Sequence, residues 1–207
     1  MGKLYHIKKL AIIAPSIKSI QMKYYLSILL AITITLASCS SDDDANSSIL
    51  SDLTDLEGTP GSTYDESLAQ WTSLKNENGR SYIYQTDVSS WTGYGAVTEI
   101  KVVNNNVVSR AYQSYMIDGG TGEITFTESY TENEATLGSH QEGASPVTID
   151  DLYNSCVSEY LSVDEENNTI YFNTETNGLL TLCGFVPDFC ADDCFTGVSI
   201  TAFNWID

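Results

Sequence analysis

The sequence predicts an α+β fold, an antiparallel sheet of about six or seven strands built as a meander plus hairpins, with two helices packed on one face. Three observations predict it: apolar residues recur at helical spacing in two separate stretches, around Trp71 and around Leu152; between and after these stretches the apolar period falls to two; and the connections between period-two stretches are too short for the crossover that a parallel pair requires.

The first helix is expected from Thr63 to Lys75. Ser62 or Thr63 supplies the cap, Asp65 or Glu66 reaches back to it, Tyr64, Leu68 and Trp71 share one stripe, and Asn76 to Gly79 stop it. Ser81 to Val88 then alternates, with Tyr82, Tyr84 and Val88 on one face and Ile83, Gln85 and Asp87 on the other. Thr98, Ile100 and Val102 form the next strand, Asn104-Asn105-Asn106 tolerates the positive φ of a tight turn, and Val107 to Tyr115 returns as the partner. Asp118 to Gly122 turns the chain into a strand carrying Ile124, Phe126 and Tyr130. Thr131 to Pro146 is polar and reads as a mobile loop carrying His140, the sole histidine after Cys39.

Thr148 opens the clearest helix. Ile149, Leu152, Tyr153, Cys156, Val157, Tyr160 and Leu161 make one apolar stripe, and Asp150 and Asp151 sit in the first turn, where the helix dipole favours acids. Strands follow at Ile170 to Phe172, at Leu179 to Val186 after the Asn177-Gly178 turn, and at Val198 to Ile206.

The segments before Thr63 read as delivery. Lys23 followed by the uncharged run Tyr24 to Leu36 has the form of a secretory signal, with translation expected to start at Met22, and the run is too short to span a bilayer. Leu36-Ala37-Ser38-Cys39 resembles the lipobox of bacterial lipoproteins. That resemblance implies cleavage before Cys39 and lipidation of its thiol, and several acyl chains make a lasting anchor where one is marginal. The expected organisation is a signal region over 1–38, a lipidated acidic tether over 39–61 and a single α+β domain over 62–207. Ser40-Ser41-Asp42-Asp43-Asp44 resembles the export signal that displays some Gram-negative lipoproteins on the cell surface. It implies a lipid-anchored outer-membrane protein facing outward, with the periplasmic face as the alternative.

After Cys39 the chain carries all 28 acidic residues against only Lys75, Lys101, Arg80 and Arg110, a formal charge of −24. Such a charge repels phosphate backbones and anionic head groups, which excludes nucleic acid as a partner and leaves the membrane accessible only through the Cys39 anchor. Cys156, Cys183, Cys190 and Cys194 are an even set in an oxidising setting and allow three pairings; Cys190 with Cys194 as a local clip and Cys156 with Cys183 is the favoured one. The rival role is a zinc site with the neighbouring Asp188, Asp192 and Asp193, but the spacing fits no zinc pattern, and the calcium-loop order of acids is absent. No phosphate loop, dinucleotide fingerprint or serine-nucleophile motif occurs, so no cofactor and no catalytic residue are expected.

Trp71, Tyr82-Ile83-Tyr84, the Ile100 to Val108 hairpin, the Thr148 to Tyr153 helix start and the Ala191-Asp192-Asp193 loop together resemble a family of small bacterial lipoproteins of unknown function. The resemblance spans Leu68 to Trp205 and implies no catalytic residue; where that family has an acid after the Asp pair, this chain has Cys194. The expected function is therefore display of a non-enzymatic binding or assembly domain. Tyr82, Tyr84, Tyr112, Tyr115, Tyr130, Trp91 and Trp205 lie on or beside strands and are expected mostly to pack the sheet face; where one face is bare they are the candidate contacts for a glycan, a peptide or an envelope protein. The alternative is an envelope enzyme using metal or carboxylates near the Cys190 to Cys194 loop.

Overall fold

A computed structural model describes residues 47–192 and 194–207; Met22, the lipobox with Cys39, the Ser40 to Asp44 run and Asp193 lie outside them. Among the described residues the chain is α+β and its sheets are antiparallel throughout, as expected, but nine strands form two sheets where one was expected.

The larger sheet contains β1 (Thr54–Asp55), β2 (Tyr82–Ser89), β3 (Tyr94–Val103), β4 (Asn106–Ile117), β5 (Ile124–Asn133) and β9 (Ala202–Trp205), in the order β1-β9-β2-β3-β4-β5. The smaller contains β6 (Asn168–Thr174), β7 (Leu180–Pro187) and β8 (Thr196–Ser199), in that order. The run Val198 to Ile206, expected as one strand, is split between them. Ile200 N–H still bonds to Thr181 O of β7 at 2.7 Å, whereas Thr201 N–H bonds to Gln85 O of β2 at 2.9 Å. The chain thus changes sheets between two consecutive residues. Alternation fixes which face each side chain occupies and is silent on which neighbour each half of a strand pairs with.

Helix α1 (Tyr64–Asn78) begins at Thr63, whose hydroxyl accepts from Glu66 N–H while the Glu66 carboxylate accepts from Thr63 N–H at 2.9 Å. Its Trp71 is fully buried, stacked on Trp205 at 5.6 Å and edge-on to Tyr82 at 5.3 Å. Helix α2 (Ile149–Ser155) starts with the same reciprocal cap between Thr148 and Asp151. Two phenols of β2 hold this start in place: Tyr82 Oη accepts from Ile149 N–H at 3.0 Å, and Tyr84 donates to Val147 O at 2.7 Å. Both helices and both sheets contribute to one core, in which Trp71, Tyr82, Ile100, Ile149, Leu180 and Phe203 are buried together.

The second helix departs from its expected length. Past Ser155 it widens into a π turn, Cys156–Tyr160, closed by Leu161 N–H to Cys156 O at 2.9 Å. A wider turn advances the stripe by about one residue. Tyr160 and Leu161 pack on the core as expected, while Val157, expected on the same stripe, is exposed.

The stretch expected as tether is, from Ser47 on, laid along the domain. Ser51 N–H and hydroxyl both donate to the Glu99 carboxylate, β1 pairs with β9, Leu56 packs against the core, and Thr59 and Thr174 exchange backbone hydrogen bonds.

Candidate binding cleft

The sheet switch at Ile200 leaves a gap between the sheets. On the face that carries Tyr82 and Tyr84, the far end of β2, β3 and β4 presents Thr86, Val88, Tyr94, Ala96, Thr98 and Tyr112. Opposite stand Phe195 and the β8 residues Gly197, Val198 and Ser199, and Glu142 to Ala144 form a third wall. The cleft measures about 400 Å³, within the roughly 300–1,000 Å³ of small-molecule sites.

Five of its lining residues carry hydroxyls: Thr86, Tyr94, Thr98, Tyr112 and Ser199. The Tyr94 and Tyr112 phenols meet at 3.0 Å, and Thr98 Oγ1 accepts from Ala144 N–H at 2.9 Å. Burial, together with the hydrogen bond to Tyr94, pushes the Tyr112 phenol up to about 12, so it stays a neutral hydroxyl at physiological pH. Asp87 and Glu142 are the acidic residues along its edge; the Asp87 side chain belongs to the other face of β2, with Ile83 and Gln85, and burial holds its carboxyl above its ordinary range. No Lys, Arg or His is among the lining residues.

Phe195 owes its position to two glycines. Gly184 and Gly197 face each other across β7 and β8, and a Cβ on either would come within 2.9 Å of the Phe195 ring. The ring rests where side chains would otherwise stand, and the residue remains 40 % exposed.

The third wall is the segment expected to be a mobile loop. Strand β5 instead continues to Asn133, and the segment after it is pinned by a buried charge cluster. Arg110 and Glu132, opposite each other on β4 and β5, pair through Nε to Oε2 at 2.9 Å and Nη2 to Oε1 at 2.8 Å. Glu132 is 0 % exposed and also accepts from Gly138 N–H, Ser139 Oγ and His140 N–H, while Arg110 donates to the carbonyls of His140 and Ala144. Burial alone would raise the Glu132 carboxyl; the Arg110 and His140 hydrogen bonds outweigh it and hold the group well below the usual carboxylate range. The Tyr112, Tyr130 and His140 rings stack in a column at 5.2 and 3.9 Å, and Tyr130 donates to Glu142 O. His140 is thus spent on fastening the wall, with Tyr130 between it and the cleft residue Tyr112.

Of the aromatics singled out from sequence, Tyr112 lines the cleft, Tyr82, Tyr84 and Trp205 belong to the core, Tyr130 supports the wall, and Tyr115 covers Gly95. Trp91 is 77 % exposed, in the turn joining the cleft strands β2 and β3. Sequence reasoning missed Tyr94, Phe195 and the Glu142 to Ala144 wall. The available signal was Phe195 directly after Cys194, an aromatic tied beside a disulfide, and Gly143 beside an acid.

The cysteines pair as favoured. Cys156 of the π turn joins Cys183 of β7, and Cys190 joins Cys194 just ahead of Phe195. With both of its thiols in a disulfide, the second loop offers no thiolate ligand, and Asp188 accepts from Thr169 Oγ1 at 3.0 Å. Among the described residues no three His, Cys, Asp or Glu side chains gather as a metal site.

Comparison with family models finds no match, and comparisons with curated proteins and with solved structures find none either.

Proposed function

We propose that the protein is a lipid-anchored envelope lipoprotein, held through Cys39 and displayed on the outer face of the outer membrane, whose domain is a non-enzymatic binding module with the inter-sheet cleft as its ligand site. The observation that carries the binding role is the cleft itself: about 400 Å³ between two sheets, with Tyr94, Tyr112 and Phe195 in its walls and a third wall pinned by a buried ion pair. Pre-forming a wall in this way removes ordering cost from ligand binding. The lipobox Leu36-Ala37-Ser38-Cys39 and the acidic run behind it support the location.

A thermal-shift series on the full-length protein in detergent tests the binding role. The probes are a neutral oligosaccharide, dextran sulfate, oligolysine and an uncharged peptide, each compared with a Phe195→Ala variant. At least one probe raises Tm in the parent and not in the variant, since a ligand held only by the folded state stabilises it by mass action, and it is recovered chemically unchanged. Equal responses of parent and variant to every probe, or conversion of a probe to product, would contradict the proposal. For the location, intact cells treated with protease lose the domain, and Cys39→Ala no longer incorporates labelled palmitate. Protection until lysis contradicts surface display; labelling of the variant contradicts anchoring at Cys39.

A further inference from the structure

We propose that the cleft takes a neutral oligosaccharide, one sugar ring seated against Phe195 and Tyr94 and the chain continuing outward over the Ser90 to Gly93 turn towards Trp91, an assignment that rests on the cleft being the ligand site. Charge narrows the class first. No basic side chain lines the cleft, and of the four cations after Cys39, Arg110 is committed to Glu132 and Lys75 to Asp150. A phosphate, sulfate or carboxylate would find no counter-ion there and would meet a chain of charge −24.

The polar groups narrow it further. Thr86, Thr98, Tyr94, Tyr112 and Ser199 among the lining residues carry hydroxyls, able both to donate and to accept, while Glu142 carries a carboxylate that only accepts. A sugar carries the complementary set: hydroxyls of dual character around its rim, which also donate to carboxylates, and faces of C–H groups that lie against an aromatic ring. A bare ammonium would use the acceptors and leave the phenol and threonine O–H donors unmatched, because it has donors alone.

The aromatic geometry suits a flat platform. Phe195 is backed by Gly184 and Gly197, so one part of its ring lies on backbone and the exposed remainder is turned away from that backing. Tyr94, half-exposed, is held by its hydrogen bond to the buried Tyr112. The apolar surface continues beyond the cleft. Val88 is both a lining residue and exposed, and Trp91, Met116 and Ile117 are exposed on the same hairpin ends, tied together by Ile117 N–H to Gly93 O at 2.8 Å. A single sugar would leave Trp91 bare; a chain would cover it.

The test is calorimetric titration of the full-length protein in detergent with neutral hexose monosaccharides, their longer oligomers, a uronic-acid oligomer and oligolysine. Neutral oligomers bind, and affinity rises with chain length. Phe195→Ala weakens every neutral ligand at least about tenfold, whereas Trp91→Ala weakens the oligomers and leaves the monosaccharide unchanged. Both positions are exposed, and far-ultraviolet circular dichroism confirms that each variant folds. Oligolysine or the uronic-acid oligomer binding in a Phe195-dependent way, with no neutral sugar bound, would overturn the sugar assignment while leaving the cleft as the ligand site. Neutral oligomers that bind with no dependence on Phe195 would overturn both, and affinity independent of length would overturn the extended ligand.

Discussion

At the scale of single residues, the most consequential group is Glu132, a fully buried carboxylate paired with Arg110. Glu132→Gln leaves the guanidinium buried without its counter-charge, and urea unfolding should show a loss of about 3–5 kcal/mol. The same group gives the protein an acid-sensitive term. Its folded pKa is depressed, so its stabilisation is complete above the unfolded glutamate value of roughly 4.3 and is lost as pH falls through the lower folded value. Stability measured across that acidic window should fall in the parent and lose this part of its slope in Glu132→Gln. Gly143 is the second such residue. It adopts φ +82°, and an added Cβ would lie 2.8 Å from Thr98 Oγ1 and from the Tyr112 ring. Gly143→Ala should therefore push the Glu142 to Ala144 wall off the cleft, read as faster hydrogen exchange at Ala144 N–H, which loses its bond to Thr98. Neither role was legible in the sequence. Glu132 there stands in a polar run, and its partner lies 22 positions away on the adjacent strand, a separation that only the β4–β5 register makes meaningful.

At the scale of elements, local signals were read well wherever the physics is local. The Thr63 and Thr148 caps, the start of α2, the Asn104-Asn105 turn with φ of 50° and 65°, and the faces of β2 all follow from side chains acting within a few residues. Thr148→Ala, which removes a hydroxyl acceptor from the first turn, should cost about 1 kcal/mol in chemical denaturation. The π turn was not legible, because the apolar stripe runs on at helical spacing through Val157. It becomes visible only in the exposure of Val157, while its stripe neighbours Tyr160 and Leu161 pack on the core as expected. The turn begins at Cys156, whose bridge to Cys183 fastens it to β7 across 27 positions. Replacing both cysteines with alanine should lower stability by roughly 3 kcal/mol on the chain-entropy account, measured under non-reducing conditions.

At the scale of the whole molecule, the two-sheet arrangement is what creates a site, and it hinges on the switch at Ile200 and Thr201. Sequence alternation supplied the antiparallel strands and the α+β class. It did not supply the division into two sheets: the alternation of Val198 to Ile206 slips by one at Ala202-Phe203, which was read through as one strand, and the backbone partners change from β7 to β2 just before that slip. The cleft was illegible for the same reason: Tyr94, Tyr112, Gly143 and Phe195 come from four separate segments and meet only through that division. The cysteine pairing was favoured in advance because an even count suggests two bridges, Cys190 and Cys194 lie four positions apart, and Cys156 on the helix stripe and Cys183 in a strand both face the core. The central claim, that this cleft is where a ligand sits, is tested most directly by hydrogen exchange on the full-length protein with and without a neutral oligosaccharide. Slowed exchange confined to the Glu142 to Ala144 wall and to Phe195 through Ser199 is the predicted result. Protection centred elsewhere, or unchanged exchange at these amides with the sugar demonstrably bound, would contradict it.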